Sequence, residues 1–181
     1  MSNGKIIASI LIILAVIGFV FVWQGYYPVA FVNWRPVFAK TLDANYSIAL
    51  NFYKSQLKGN QAFNLPDVQD EIRRAVLQSL IEDKIIDSEI NKKIGKSEFE
   101  KQIDEKLNKF DLNTDKIKEG AKLLYGLSVE QLKNTVLTEQ AKREIAEELF
   151  GSPDKNFDDW LEEKFKSSKI IVLIPVKIVD N

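Results

Sequence analysis

The sequence predicts a mainly α-helical protein with three parts: an N-terminal transmembrane helix, a helical bundle around one long helix, and a small two-stranded sheet that joins the ends of the bundle. Three observations lead to this fold class. A long amphipathic run occupies the middle of the chain, an uncharged apolar run lies near its start, and two β-prone runs stand at opposite ends of the remainder. We expect residues 1–27 to form the membrane anchor and residues 28–181 the helical domain.

The long amphipathic run covers residues 66–94 and has apolar residues on more than one side of a helix. One row repeats every four residues at Val68, Ile72, Val76 and Leu80, and a second row comprises Leu77, Ile81, Ile85 and Ile90. Pro66 suits the first turn of a helix and Gly95 suits its end. A helix of this length spans about 43 Å, so we expect shorter helices to pack along both of its flanks.

Residues 6–23 contain no charged side chain and predict a membrane-spanning helix. Their length matches the hydrocarbon core of a bilayer, and Trp23, Tyr26 and Tyr27 follow where interfacial aromatic residues occur. A cleaved signal peptide and a buried core helix are the alternatives, but no small-x-small cleavage site follows. Lys5 precedes the segment, which favours a cytoplasmic N-terminus. We therefore expect a single-pass cell-membrane protein whose bulk lies outside the cytoplasm.

Two short β-prone runs stand at the ends of the helical part. Residues 29–33 are apolar and lie between two prolines, and residues 169–179 contain five consecutive branched apolar residues followed by Pro175. An isolated strand is not stable in water, so we expect the two runs to pair in a small sheet. Two unrelated extended tails are the alternative.

Shorter helices are predicted on both sides of the long one. The first covers residues 37–58, and another is opened by Ser97 with Glu100 as a capping box. A brief helix ends at Gly126. Ser128 and Gln131 form a second capping box that opens a helix over residues 129–150, and a last helix begins at Phe157.

The composition excludes many kinds of active site. The chain has 181 residues with neither His nor Cys, so imidazole bases, thiolate nucleophiles and the usual zinc ligands are missing. Its 25 basic and 26 acidic residues are balanced, which disfavours nucleic acid as a partner. Asp111 and Asp115 resemble the start of a calcium loop, but Lys116 and Lys122 stand where Gly and Glu are required. We expect no enzyme activity, no cofactor, no metal and no small-molecule substrate.

Aromatic residues are the candidate functional groups. The chain has 11 Phe, 5 Tyr and 3 Trp, and several crowd near the first predicted strand and helix. We expect Trp34, Phe38, Phe52 and Tyr53 to bind extended apolar polypeptide segments between the first helix and the long one. Ordinary core packing is the alternative for each of them.

Four stretches, in this order, carry a resemblance to a known family: VAFVN at 29–33, AVLQSLIEDKIIDSEI at 75–90, IGKSEFEKQIDEKL at 94–107 and YGLSVEQLK at 125–133. Together they resemble the SurA-type N-terminal chaperone domain. That domain is shared by periplasmic and membrane-anchored folding factors, many of which also carry a parvulin prolyl isomerase domain. The resemblance covers about residues 29–149.

The chain departs from the family pattern at two places. Trp34 stands where the family usually has glycine, and only residues 151–156 stand where related proteins insert the isomerase domain. The resemblance therefore implies a membrane-tethered module that binds unfolded or newly exported polypeptides and lacks isomerase activity. A non-catalytic scaffold that docks one dedicated membrane partner is the alternative, and a prolyl isomerase would require a further domain.

Overall fold

The computed structural model describes residues 24–57, 66–112, 114–152 and 156–174. Within these ranges no helix combines the length and apolar character needed to cross a membrane. The predicted transmembrane segment, residues 6–23, lies outside the described residues. The anchor therefore stays a prediction.

Among the described residues the sheet has three strands, not the predicted two. β1 (Pro28–Val32) pairs with β2 (Arg35–Phe38) in a hairpin, and β3 (Ile170–Val172) pairs with the other edge of β1, both antiparallel. The register sets Phe31 opposite Ile171. The predicted pairing of residues 29–33 with the run that begins at Lys169 is thus confirmed, while residues 175–179 of that run lie outside the described residues. β2 is the strand that the sequence pattern missed.

The turn of the hairpin consists of Asn33 and Trp34, which both have positive φ, 48° and 68°. Two-residue hairpin turns favour this left-handed conformation, usually with Asn or Asp followed by Gly. The Asn33 side chain fixes the turn to the segment just before Ile170: its Oδ1 accepts a hydrogen bond from Lys169 N (2.9 Å), and its Nδ2 donates to Ser168 Oγ (3.2 Å). The tight turn is therefore made with Trp34 in place of glycine.

The first helix of the described part, α1 (Ala39–Leu57), begins two residues later than predicted because Val37 and Phe38 belong to β2. The long helix α2 (Pro66–Ile94) has the predicted bounds. α3 (Lys96–Leu107) starts after Gly95, whose φ is 80°, and no side chain caps it. The predicted capping box of Ser97 and Glu100 is therefore wrong, since Ser97 lies inside the helix.

The remaining helices follow in the predicted order. α4 (Asp115–Gly120) continues into a π-helical turn, Ala121–Tyr125, and ends at the left-handed Gly126. The predicted capping box of Ser128 and Gln131 is confirmed and opens α5. A second π-helical turn then separates the two parts of the predicted 129–150 helix. The elements after Gly126 are α5 (Val129–Leu132), the π turn Lys133–Leu137, α6 (Thr138–Phe150) and α7 (Phe157–Ser167).

The core lies around α2, which contacts α1, α3, α6, α7, β1 and β2. The second apolar row of the sequence, from Leu77 to Ile90, is fully buried. Val76 and Leu80 of the first row are partly buried against the same core. The prediction that α2 packs on both flanks is confirmed. α7 closes the domain through Trp160, whose ring stacks on Phe150 of α6 with centroids 4.2 Å apart.

We predict that the Asn33 turn measurably stabilises the closure of the sheet. Asn33→Ala should lower the free energy of unfolding by about 1–3 kcal/mol, because it adds left-handed backbone strain to the loss of the side-chain hydrogen bonds. Asn33→Gly is the matched control and should cost only about 1 kcal/mol, since Gly adopts this φ without strain. Urea unfolding measures both losses, and equal losses would contradict the strain argument.

Candidate functional site

The four residues proposed for polypeptide binding lie at three separate places. Trp34 is at the tip of the β1–β2 hairpin, where 71% of its surface is exposed. Its ring lies 4.2 Å from Lys169 Nζ, a cation–π contact that joins the tip to the start of β3. Trp34 is therefore held in place while most of its ring faces solvent.

Phe38 ends β2 and is half-buried. With Pro36, Val37 and Leu80 it forms the apolar part of a pocket of about 220 Å³. The pocket lies where β2, α1 and α2 meet the segment that leads into α6. Phe38 thus lines a cavity and does not extend a flat surface.

Phe52 and Tyr53 lie in the second half of α1 and form an aromatic patch with Tyr125. The rings of Phe52 and Tyr125 stack with centroids 5.4 Å apart, and Tyr53 meets Phe52 edge-on at 6.0 Å. Tyr53 is 45% exposed, whereas Phe52 and Tyr125 are half-buried. Tyr125 was not among the predicted residues, and only the fold brings it to α1.

The backbone next to Tyr125 fixes this aromatic patch to α1. Asn51 Nδ2 donates a hydrogen bond to the Tyr125 carbonyl oxygen (3.2 Å). Gly126 has a φ of 70°, and a Cβ at this position would lie 2.7 Å from Asn51 Nδ2. Gly126 therefore permits both the left-handed turn and the close approach of α1.

The structure brings Phe52 and Tyr53 together but separates them from Phe38 and Trp34. Phe38 precedes Phe52 by 14 positions, roughly 21 Å along a helix. α1 and α2 are themselves in contact. A polypeptide that touched all four aromatic residues would have to run along the length of α1.

A cluster of charged side chains forms the polar wall of the pocket at Phe38. Asp83 and Asp87 come from α2, and Glu139 and Lys142 come from α6. Lys142 Nζ lies 3.2 Å from Asp87 Oδ1 and 3.0 Å from Glu139 Oε1. We refer to these four residues as the Asp83 cluster. It links the long helix to α6 beside the apolar part of the pocket.

Burial raises the pKa of Asp83 to about 8, and the nearby carboxylates of Glu139 and Asp87 act in the same direction. Burial alone would lower the pKa of Lys142, but the charges of Glu139 and Asp87 outweigh it and raise that pKa. Lys142 is therefore cationic at neutral pH, and Asp83 retains its proton there.

The aromatic residues and the Asp83 cluster offer apolar contact and charge. In the described ranges no group of three or more carboxylates is arranged to hold a metal ion. Of the predicted binding residues, Trp34 and Tyr53 are exposed to solvent, and Phe38 lines the pocket. Such features suit noncovalent contact with another polypeptide.

Comparison with known proteins agrees with the fold. The family model of the SurA-like N-terminal domain matches residues 1–151, and the chain belongs to this family. The resemblance inferred from the four sequence stretches is thereby confirmed. The SurA-like N-terminal domain is associated with chaperone function and is the non-catalytic part of such proteins. No curated protein and no solved structure matches the chain.

We predict that Phe52 and Tyr53 differ in what they contribute to stability. Phe52→Ser should lower the free energy of unfolding by about 1–3 kcal/mol, because it removes a half-buried ring from the stack with Tyr125. Tyr53→Ser should change it by less than about 0.5 kcal/mol, because the ring is exposed. Denaturant unfolding compares the two variants. A loss at Tyr53 as large as that at Phe52 would assign Tyr53 to the core.

Proposed function

We propose that the protein is a membrane-tethered chaperone that holds unfolded or newly exported polypeptides outside the cytoplasm and keeps them from aggregating. Membership of the SurA-like N-terminal domain family carries this proposal. The exposed rings of Trp34 and Tyr53 add support, since a protein that holds unfolded chains needs apolar surface open to solvent.

The conformation of Trp34 supports a role in binding. A bulky residue at φ 68° is strained, and glycine would adopt this φ without cost. With 71% of its surface exposed, Trp34 recovers little of that cost through burial. Strained residues of this kind occur where function requires a particular side chain. Contact of the indole ring with apolar client segments would explain why tryptophan occupies this turn.

The way the chain enters the domain supports the tether. Gly25 O accepts a hydrogen bond from Lys40 N (2.9 Å), and Tyr27 O accepts one from Ala39 N (3.0 Å). Lys40 Nζ also donates to the Tyr26 hydroxyl (2.9 Å). The domain is thus fixed to the chain within two residues of the predicted transmembrane segment, residues 6–23. Such a short connection would hold the domain at the membrane surface, where exported chains emerge.

We predict that residues 24–181 suppress the aggregation of several unrelated unfolded proteins, measured by light scattering. Trp34→Gly should weaken client binding by about threefold to tenfold, as expected for an aromatic contact residue. The free energy of unfolding of the Trp34→Gly variant should stay close to that of the unchanged chain, because relief of backbone strain offsets the loss of the Lys169 contact. Tyr53→Ser should also weaken binding.

Phe110→Ser is the control for this assay, because Phe110 is another aromatic residue that is 40% exposed but lies outside the proposed surface. Equal loss in all three variants would indicate nonspecific stickiness. No suppression of aggregation, together with one stable partner in a pull-down, would replace the chaperone proposal with the scaffold alternative.

A second prediction concerns the tether. Protease added to intact spheroplasts should digest the protein after Gln24, because the proposal sets the helical domain outside the cytoplasm. The same digestion after membrane lysis is the control for protease access. Full protection in intact cells and digestion after lysis would overturn the extracytoplasmic location.

A further inference from the structure

The Asp83 cluster holds more carboxylates than its hydrogen-bond donors satisfy. Lys142 donates to Glu139 Oε1 (3.0 Å) and to Asp87 Oδ2 (3.4 Å). Glu139 Oε2 is buried and receives no hydrogen bond from any described residue. Asp87 Oδ1 is also buried, and Lys142 Nζ lies 3.2 Å from it without hydrogen-bond geometry. A buried acceptor without a donor is costly, and carboxylates that share a site favour the binding of one proton.

One proton at Asp83 balances the charges that line the pocket. Asp87 and Glu139 then supply two negative charges, and Lys142 and Lys84 supply two positive ones. Ionisation of Asp83 would add a third carboxylate to a pocket wall in which Glu139 Oε2 already lacks a donor. Because these side chains are half-buried, water screens only part of this added charge.

The segment that carries Glu139 begins with an irregular turn. The π turn Lys133–Leu137 directly precedes α6, and its residues Asn134 and Thr135 line the same pocket. π-helical turns are uncommon and often mark functional positions in helices. Further along α6, Ala141, Ile145 and Ala146 are buried. Movement about the π turn would therefore be confined to the residues before Ala141, which include Glu139, while the rest of the helix stays in the core.

We propose that a proton held by the Asp83 cluster latches the start of α6 to α2, and that loss of this proton opens the pocket at Phe38 by movement about the π turn. The latch belongs to the fold and does not depend on the proposed chaperone function.

Within the part of the chain that the structure describes, the charged groups around Asp83 come from two helices. α2 supplies Glu82, Lys84 and Asp87, and α6 supplies Glu139 and Lys142. The other elements that line the pocket contribute only uncharged residues: Pro36, Val37 and Phe38 from β2, Thr41 and Asn45 from α1, and Asn134 and Thr135 from the π turn. The pH dependence of the latch therefore reports the contact between α2 and α6.

The direction of the pH effect follows from linkage. The closed state keeps the proton up to a pKa of about 8, whereas the carboxyl group of an open, hydrated Asp83 titrates near its ordinary value of 3.8. The contribution of Asp83 to closure is therefore fully present below pH 3.8 and is lost as the pH rises toward 8. Above pH 8 both states have lost the proton, and the opening equilibrium no longer depends on this group.

Hydrogen exchange on the full chain in a nonionic detergent tests the latch. The amides of Lys142 and Arg143 report its opening, since they bond to the carbonyls of the first turn of α6. After correction for intrinsic exchange, their opening constant should rise about tenfold per pH unit between about pH 5 and pH 7.5 and level off above pH 8. The opening constant of the Lys142 and Arg143 amides should also exceed that of the β1 amides, because the latch opens without unfolding of the sheet.

Asp83→Asn imitates the protonated side chain and should abolish the rise, whereas the matched control Asp70→Asn, at an exposed position of α2, should keep it. A rise that persists in Asp83→Asn would overturn the proposal, as would α6 amides that open only together with β1. If Asp83→Asn fails to fold, carboxyl-carbon NMR of the unchanged chain decides. A carboxyl group of the Asp83 cluster that titrates near pH 8 supports the latch, and titration of all of them below about pH 5 overturns it.

Discussion

Burial of the apolar flanks of α2 is the constraint on which the rest of the structure depends. The helix has 29 residues and spans about 43 Å, so no single partner covers it. α1, α3, α6 and α7 pack along it, and β1 and β2 reach it from the sheet. α7 packs on α2, as α1 does, so the segment after α7 lies close to the strands that precede α1. β3 can therefore complete the sheet beside β1.

Polar residues of α2 form the ion pairs that hold α7 and α6 against it. Glu89 Oε2 lies 2.7 Å from Lys164 Nζ of α7, and Glu89 Oε1 lies 2.5 Å from Lys92 Nζ. Burial alone would raise the pKa of Glu89, but the hydrogen bonds from both lysines hold it below its usual value. Its carboxylate thus stays charged and tied to α7 at neutral pH. The contact with α6 differs, since the Asp83 cluster has three carboxylates and one lysine.

Sequence analysis predicted the elements that are set by local capping and turn residues or by a strongly periodic apolar pattern. Pro66, Gly95 and two apolar rows were sufficient to bound α2, and the Ser128 capping box set the start of α5. Pairing of the terminal strands followed from the need to bury branched apolar residues. β2 was missed because Arg35 and Pro36 obscure its pattern, and because Trp34 is an unusual residue for a left-handed turn.

For the candidate site, the sequence indicated which residues to consider but not where the fold places them. Aromatic composition pointed to Trp34, Phe38, Phe52 and Tyr53, but sequence spacing could not separate an exposed tip from a pocket wall. Tyr125 and the Asp83 cluster depend on contacts between distant segments. Their residues carry no common motif, so tertiary packing alone brings them together.

Site-specific photocrosslinking tests most directly the claim that the exposed aromatic residues bind unfolded polypeptide. Benzoylphenylalanine at position 34, 53 or 110 would be irradiated with a purified client that is chemically kept unfolded, and with the same client folded. The chaperone account predicts crosslinks at positions 34 and 53 to the unfolded client alone, and few at position 110. Equal crosslinking at all three positions, or equal crosslinking to the folded client, would contradict it.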